Sequence, residues 1–199
     1  MQTDHSDTVL VLSEIWSYNV ILYQNLIPGY VFYYDLPNES NVRGIGVYVK
    51  DTLTHCIVDN YKISSVDDCR IENLWIEVTN GQNRYIVGEI YHHPGYKINT
   101  FTEKLNKVLT QIFNHKLPCF IAGDINIDLK RFQTHQDTKT YLDNLILNNF
   151  MHVVLMPPRI SEKSATLIDH IYYSDDSKST NDVVKSVILL MVWYYWSFA

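Results

Sequence analysis

An α+β or layered α/β sandwich, in which sheets pack on one another with helices outside, is the fold class the sequence predicts. Three observations lead there. Six short runs rich in β-branched and aromatic residues outnumber two helical patterns. Several of those runs are apolar on both faces, which suits stacked layers better than an alternating βαβ sheet. Turn formers bound the runs, and no internal repeat or low-complexity linker interrupts the 199 residues, so one domain over 1–199 is expected.

In chain order, strands are expected at "VLVLSEIW" (9–16), "GIGVYVK" (44–50), "LWIEV" (74–78) and "YIVGEIY" (85–91). From Ile98, apolar residues recur at Phe101, Leu105, Val108, Leu109, Ile112 and Phe113 as one helical stripe, and Thr100 with Glu103 three positions on reads as a capping box. The Lys116-Leu117-Pro118 turn then feeds a strand "CFIAGDINI" (119–127). A second helix is expected over about 137–148 with Tyr141, Leu142, Leu145 and Ile146 inward, followed by a strand "TLIDHIYYS" (166–174).

Composition narrows the function. The chain is 46% hydrophobic and 13% aromatic, which argues against disorder, and its formal charge of −6 argues against a polyanion binder working by charge alone. Cys56, Cys69 and Cys119 are odd in number and lack C-x-x-C spacing, so a reducing compartment is expected rather than a disulfide framework or a zinc site. The opening "MQTDHSD" is unlike a secretory signal, and "VILLMVWYYW" falls short of the roughly 20 apolar residues a membrane helix needs. No membrane or protein partner is evident.

Chemistry is expected where acids interrupt apolar strands. Glu14 ends the first strand, Asp124 the fifth, and Asp169 lies between Ile168 and the pair Ile171-Tyr172. In "FIAGDINIDL" the polar residues Asp124, Asn126 and Asp128 alternate, and an extended chain would turn all three to one face. A single carboxylate past a strand is commonly a turn or cap residue; three such positions make a common site the better expectation. Oxygen donors of this kind suit Mg²⁺, with Mn²⁺ as the alternative, and not a soft metal.

The stretches "LSEIW", "GIGVYVK", "GEIYHHPG", "IAGDINIDL" and "PPRISEKSATLIDHIY", in that order, resemble the endonuclease/exonuclease/phosphatase (DNase I-like) superfamily, and most of all the endonuclease domain of non-LTR retrotransposons. The likeness spans about residues 8–173, and its most specific parts are the G-D-x-N and "SATLIDHIY" stretches. It implies a DNase I-like layered α/β sandwich of two mainly antiparallel sheets flanked by helices, and a Mg²⁺-dependent phosphodiesterase that nicks DNA. By resemblance Glu14 is the metal-binding glutamate. Asp124 aligns or deprotonates the attacking water, Asn126 holds a phosphate oxygen, Tyr91 contacts the scissile phosphate, and Asp169 orients a catalytic histidine. Arg159, Ser164 and Thr166 fall where the family contacts DNA, and a nuclear site follows if the retroelement likeness holds.

The sequence departs from that pattern twice. A Ser-Asp-His stretch should follow the "IDHIY" strand, yet no histidine occurs from Ser174 to Ala199. His170 adjoins Asp169, but consecutive strand residues point to opposite faces, so it is not expected to replace the missing ring. The family's first strand, with its asparagine, should precede "TVLVLSEIW", and only seven residues stand before Thr8, none of them Asn. The expected consequences are an uncovered edge on the neighbouring strand and impaired activity. The alternative is an inactive retroelement remnant that at most binds nucleic acid. The chain end is read as a reading-frame change shortly after Leu190, against the other reading of a genuine hydrophobic terminal strand with a divergent end. A lipid phosphatase is a weaker option, since nothing suggests a lipid-facing loop. His92-His93 are expected to be solvated and not metal ligands, Lys130-Arg131 to give modest phosphate attraction, and Asp128 to be a turn residue or a residue supporting the ligands without touching the metal.

Overall fold

The computed structural model describes residues 9–15, 20–36, 44–63, 71–153, 159–160, 165–174 and 189–192. Two sheets stack face to face. One is four-stranded, in the order β12-β1-β3-β2, built from β1 (Val9–Leu12), β2 (Tyr30–Asp35), β3 (Ile45–Lys50) and β12 (Leu189–Val192). The other is six-stranded, in the order β4-β5-β6-β7-β11-β8, from β4 (Thr54–Ile57), β5 (Ile71–Asn80), β6 (Asn83–His92), β7 (Cys119–Asp124), β8 (Met151–His152) and β11 (Asp169–Ser174). Pairing is antiparallel except at β6–β7 and β1–β12. A short ribbon pairs β9 (Arg159–Ile160) with β10 (Ala165–Thr166). The expected two-sheet sandwich is thus the observed fold.

Alternation along the strands builds three apolar layers. Val9, Val11, Val47, Ile76, Val87, Phe120, Ala122 and Tyr173 meet between the sheets. The opposite residues of the six-stranded sheet, among them Trp75, Ile86, Ile90, Ile121 and Tyr172, pack on helices α2 (Ile98–His115) and α3 (Gln136–Leu147) through Phe101, Leu105, Leu109, Tyr141 and Leu145. Outside the four-stranded sheet, Leu12, Phe32 and Tyr48 are covered by Val20 and Tyr23 of the short helix α1 (Val20–Gln24). Gly88 sits opposite Trp75, whose buried ring lies 2.4 Å from where a Cβ would be, so the indole packs straight across the strand.

Several local expectations change. β2 and β4 were not foreseen, because each runs along a sheet edge and mixes exposed with partly buried residues instead of forming an apolar run. The capping box does not form. Helix α2 begins at Ile98 with Lys97 as its N-cap and no side-chain cap bond, so Thr100 already lies inside the first turn. Ile146 is 58% exposed and Phe113 38%, because each lies one residue, about 100° of helical rotation, beyond the buried Leu145 and Ile112. Leu142 packs against the core as expected. The strands expected at 9–16 and 119–127 end earlier, at Leu12 and Asp124, where polar residues begin.

The uncovered edge expected on β1 is also corrected. β1 pairs with β3 on one side and with β12 on the other, in parallel register from Val9 opposite Leu189 to Leu12 opposite Val192. The hydrophobic stretch near the end of the chain therefore supplies the backbone partners that an open edge would lack. Cys56 and Cys119 are unbridged thiols, while Cys69 lies outside the described residues. Among the described residues, no helix is long and apolar enough to cross a membrane.

Candidate active site

The period-2 geometry of the strands gathers the site. On β1, Val9 and Val11 face the inter-sheet layer, and the next residue in that series is Ser13. On β6 the series Tyr85, Val87 continues to Glu89 and Tyr91; on β7, Phe120 and Ala122 continue to Asp124; on β11, Tyr173 and Ile171 run back to Asp169. On β5, Leu74 runs back to Glu72, which stands opposite Tyr91. Every one of these rows changes from apolar to polar at the same end of the sandwich. Asp124 and Asp169 are direct cross-strand partners and both are buried.

Hydrogen bonds lock the rows together. The Ser13 hydroxyl donates to Glu89 Oε1 at 2.5 Å and accepts from the Asp124 N–H at 3.3 Å, joining β1, β6 and β7 across the two sheets. Glu72 Oε2 accepts from the Gly44 N–H at 2.9 Å, just ahead of β3. Glu89 is fully buried, and its carboxyl is held well above the usual carboxylate range. Desolvation is the largest cause; the Ser13 hydrogen bond opposes it, and the charges of Asp124, Glu72 and Asp169 reinforce it.

The chain does not stay extended through "GDINID", which corrects the expectation that Asp124, Asn126 and Asp128 share a strand face. β7 ends at Asp124, and Asn126 takes a left-handed φ of 53°. The Asn126 N–H donates to Asp124 Oδ1 at 3.2 Å, an Asx-type turn that keeps the two side chains adjacent. Asp128 instead accepts from the N–H groups of Lys130 and Leu167, capping a single 3₁₀ turn, Leu129–Arg131. It is a turn residue, as expected.

His92 braces this turn. Its Nδ1–H donates to the Ile125 carbonyl at 2.8 Å, and its own carbonyl accepts from Asn126 Nδ2 at 3.0 Å. The ring is buried, not solvated as expected, and desolvation lowers its pKa to about 4. His93 caps the following turn, its Nδ1 accepting from the Gly95 N–H.

Glu14 follows Ser13 with a left-handed φ of 58°, is partly exposed, and precedes Ile15, whose N–H donates to the Gly44 carbonyl. A non-glycine residue in that region costs about 1–3 kcal/mol, and such strain concentrates at functional sites. Tyr91 is buried on the same sheet face as Glu89. Arg159 and Thr166 stand opposite one another in the β9–β10 ribbon, whereas Ser164 lies outside the described residues.

His170 is on the opposite face from Asp169, among Tyr141, Tyr172 and His152. Its Nε2–H donates to the Leu167 carbonyl at 3.1 Å, leaving Nδ1 to accept from the Tyr141 hydroxyl at 3.1 Å. Burial lowers its pKa to about 3 from 6.5, so the unfolded chain takes up this proton before the folded one does. Its contribution is complete above pH 6.5 and fades as pH falls toward about 3. Stability loss over that window, on the order of a few kcal/mol, is expected to be shallower in His170→Asn than in the wild type when urea midpoints are followed from pH 7 to 4.

An all-oxygen set of carboxylates and one amide fits a hard divalent cation, and so does the enclosed Glu89 Oε2, which has no hydrogen-bond partner among the described residues. Among the described residues, no three of His, Cys, Asp or Glu form a ready-made cage. Mg²⁺ commonly takes only one or two carboxylates and keeps its waters. Ser13, Glu72 and Glu89 were not singled out from the sequence. The available signal was the one that marked Asp124: Glu89 interrupts an otherwise apolar strand, "YIVGEIY".

The sequence profile described as the Endonuclease/Exonuclease/phosphatase family matches residues 3–188. The chain belongs to this family. The similar solved structures are 8–14% identical to the chain and bear on the fold alone. The endonuclease domain of TRAS1, a telomere-specific non-LTR retrotransposon, superposes with a TM-score of 0.61 at 8% identity, covering 84% of each chain. The human Nocturnin catalytic domain gives 0.59 at 13%, covering 84% of this chain and 69% of that one. The Xenopus laevis APE2 catalytic domain gives 0.57 at 14%, covering 84% and 74%. No curated protein matches the sequence.

Proposed function

We propose that this chain is a divalent-metal-dependent phosphodiesterase that nicks DNA, of the retrotransposon-endonuclease type. The observation that carries the reading is the cross-strand pair Asp124–Asp169, with Asn126 turned beside Asp124 at the mouth of the inter-sheet layer. Family membership and the likeness to the TRAS1 endonuclease domain support it. A likeness to zebrafish (D. rerio) TDP2 complexed with a single-strand DNA product, with a TM-score of 0.57 at 13% identity, agrees with a nucleic-acid substrate.

In this reading Asp124 orients the attacking water in line with the scissile bond and takes its proton. Asn126 has two amide hydrogens, one of them committed to the His92 carbonyl, so the other is available to a phosphate oxygen. Tyr91 offers its hydroxyl to the same phosphate. Glu14, with the neighbouring carboxylates, would hold Mg²⁺ or Mn²⁺. When bound, that cation neutralises charge developing on the phosphate and leaving oxygens. Arg159 and Thr166 extend the surface along the DNA.

A second reading, a domain that binds nucleic acid without cutting it, is favoured by the placement of His170, the ring next to Asp169 in sequence, on the opposite face of the sheet among Tyr141, His152 and Tyr172. Relaxation of supercoiled plasmid by purified chain with Mg²⁺ separates the two. Nicking that stops with EDTA and in Asn126→Ala supports the enzyme. Intact plasmid at high concentrations of folded protein, together with a gel shift on the same DNA, supports the binder.

A further inference from the structure

Glu89 is not named among the residues assigned a part in the reaction above, yet it is the most enclosed acid of the site. Its side chain is fully buried on the inter-sheet face, in line with Val87 and two residues before Tyr91. One oxygen, Oε1, is held by the Ser13 hydroxyl at 2.5 Å; the other, Oε2, is shielded from solvent and has no hydrogen-bond partner among the described residues. No ion pair reaches Glu89 among the described residues, and the acids that act on it electrostatically are Asp124, Glu72 and Asp169.

Neither protonation state of Glu89 alone satisfies this arrangement. An ionised carboxylate would leave an unpaired buried charge facing three other acids. A neutral one, with its proton on Oε2, would leave a buried donor with no acceptor, a cost of about 1–3 kcal/mol. A divalent cation against Oε2 removes both problems, since it supplies a partner for the oxygen and offsets the repulsion.

The Ser13 bridge adds a geometric reason. Ser13 immediately precedes Glu14, and its hydroxyl accepts from the Asp124 N–H while donating to Oε1. One hydroxyl thus fixes the Glu89 carboxylate against the strand ends that carry Glu14 and Asp124. Outer hydrogen bonds of this kind are how proteins aim the remaining oxygen of a ligating carboxylate.

We infer that Glu89, oriented by Ser13, supplies a carboxylate oxygen to the divalent cation of this site, a ligand additional to Glu14. The inference rests on the metal-dependent reading above, but its test is metal binding and not cleavage.

Mg²⁺ affinity of the full chain by calorimetry, with Mn²⁺ electron paramagnetic resonance as a second probe, compares wild type, Glu89→Gln and Glu89→Asp. Glu89→Gln is expected to weaken binding at least about tenfold and to abolish the Mg²⁺-dependent rise in Tm. Glu89→Asp keeps the charge and is expected to fall between it and the wild type. In the absence of metal, the lost repelling charge and the buried amide donor that Gln places at the Oε2 position oppose one another, so the Tm of Glu89→Gln is expected to stay close to that of wild type.

A folded Glu89→Gln with wild-type Mg²⁺ affinity would overturn the inference, and plasmid nicking by the same sample would show that the nuclease reading survives it. Equal affinities in the Gln and Asp variants would overturn it as well. So would a wild-type chain that binds neither cation. Should Glu89→Gln fail to fold, the comparison passes to Glu89→Asp, where an affinity unchanged from wild type is again the overturning result.

Discussion

Asp124→Asn is expected to lower plasmid nicking by about 10²- to 10⁴-fold relative to the wild-type rate, the range spanned by a positioned acid or base. The substitution keeps the side chain's shape. An asparagine oxygen still accepts the Asn126 N–H that Asp124 Oδ1 holds at 3.2 Å, and the Asp124 backbone N–H still reaches Ser13 Oγ. What disappears is one negative charge and the capacity to take a proton from water. Without metal, stability should therefore be unchanged or slightly higher, since Asp124 lies opposite Asp169 and acts on Glu89 with the same sign of charge. Single-turnover cleavage and a melting curve on one preparation check both parts. A folded variant that nicks at the wild-type rate would remove Asp124 from the chemistry.

The largest effect on stability is expected at the preceding residue. Gly123 has a φ of 146°, a conformation that side-chain-bearing residues rarely adopt, and a Cβ built there would lie 1.9 Å from the Ile90 carbonyl oxygen. The obstacle is backbone of the neighbouring strand β6, which cannot swing aside as a side-chain tip could. Backbone strain and overpacking together are expected to cost Gly123→Ala about 3–5 kcal/mol, a large part of the roughly 5–15 kcal/mol that holds a domain of this kind folded. A urea titration measures it. A midpoint equal to that of wild type would mean that the chain does not pass Gly123 so closely against Ile90. Because β7 delivers Asp124 directly after this glycine, nicking should fall together with stability in Gly123→Ala, whereas in Asp124→Asn the two separate.

These two neighbours show what could be read from the sequence and what could not. Alternation is local. It rests on a period of two along each strand, so the apolar runs, their inward residues and the acids that interrupt them were all legible one residue at a time. Asp124 and Asp169 were placed on that face in this way, as was the separation of His170 from Asp169 onto opposite faces, whereas Glu14 leaves the strand with a left-handed φ just after Ser13. The two long helices were legible for a related reason: a period of 3.6 marks the stripe that must be buried, although not how far round the helix burial extends, as Ile146 and Phe113 illustrate.

Register, pairing partners and backbone turns lay beyond the sequence, because they are set by contacts between residues far apart in it. Ser13 reaches Glu89 across 76 positions and Asp124 across 111. The break in "YIVGEIY" marks Glu89 as an acid in an apolar strand, but whether it is aimed at a shared site or at water depends on strands far away in the chain. The left-handed turn at Asn126 and the brace from His92 likewise depend on a strand more than 30 residues away. The edge of β1 was misjudged for the same reason: the sequence identified an apolar stretch near residue 190, but only packing decided that its backbone would pair beside β1. Amino-acid order by itself determined which side chains face the space between the sheets. Tertiary structure alone decided that the polar ends of five strands meet at one place, because that requires the strands' order and register, which no local period encodes.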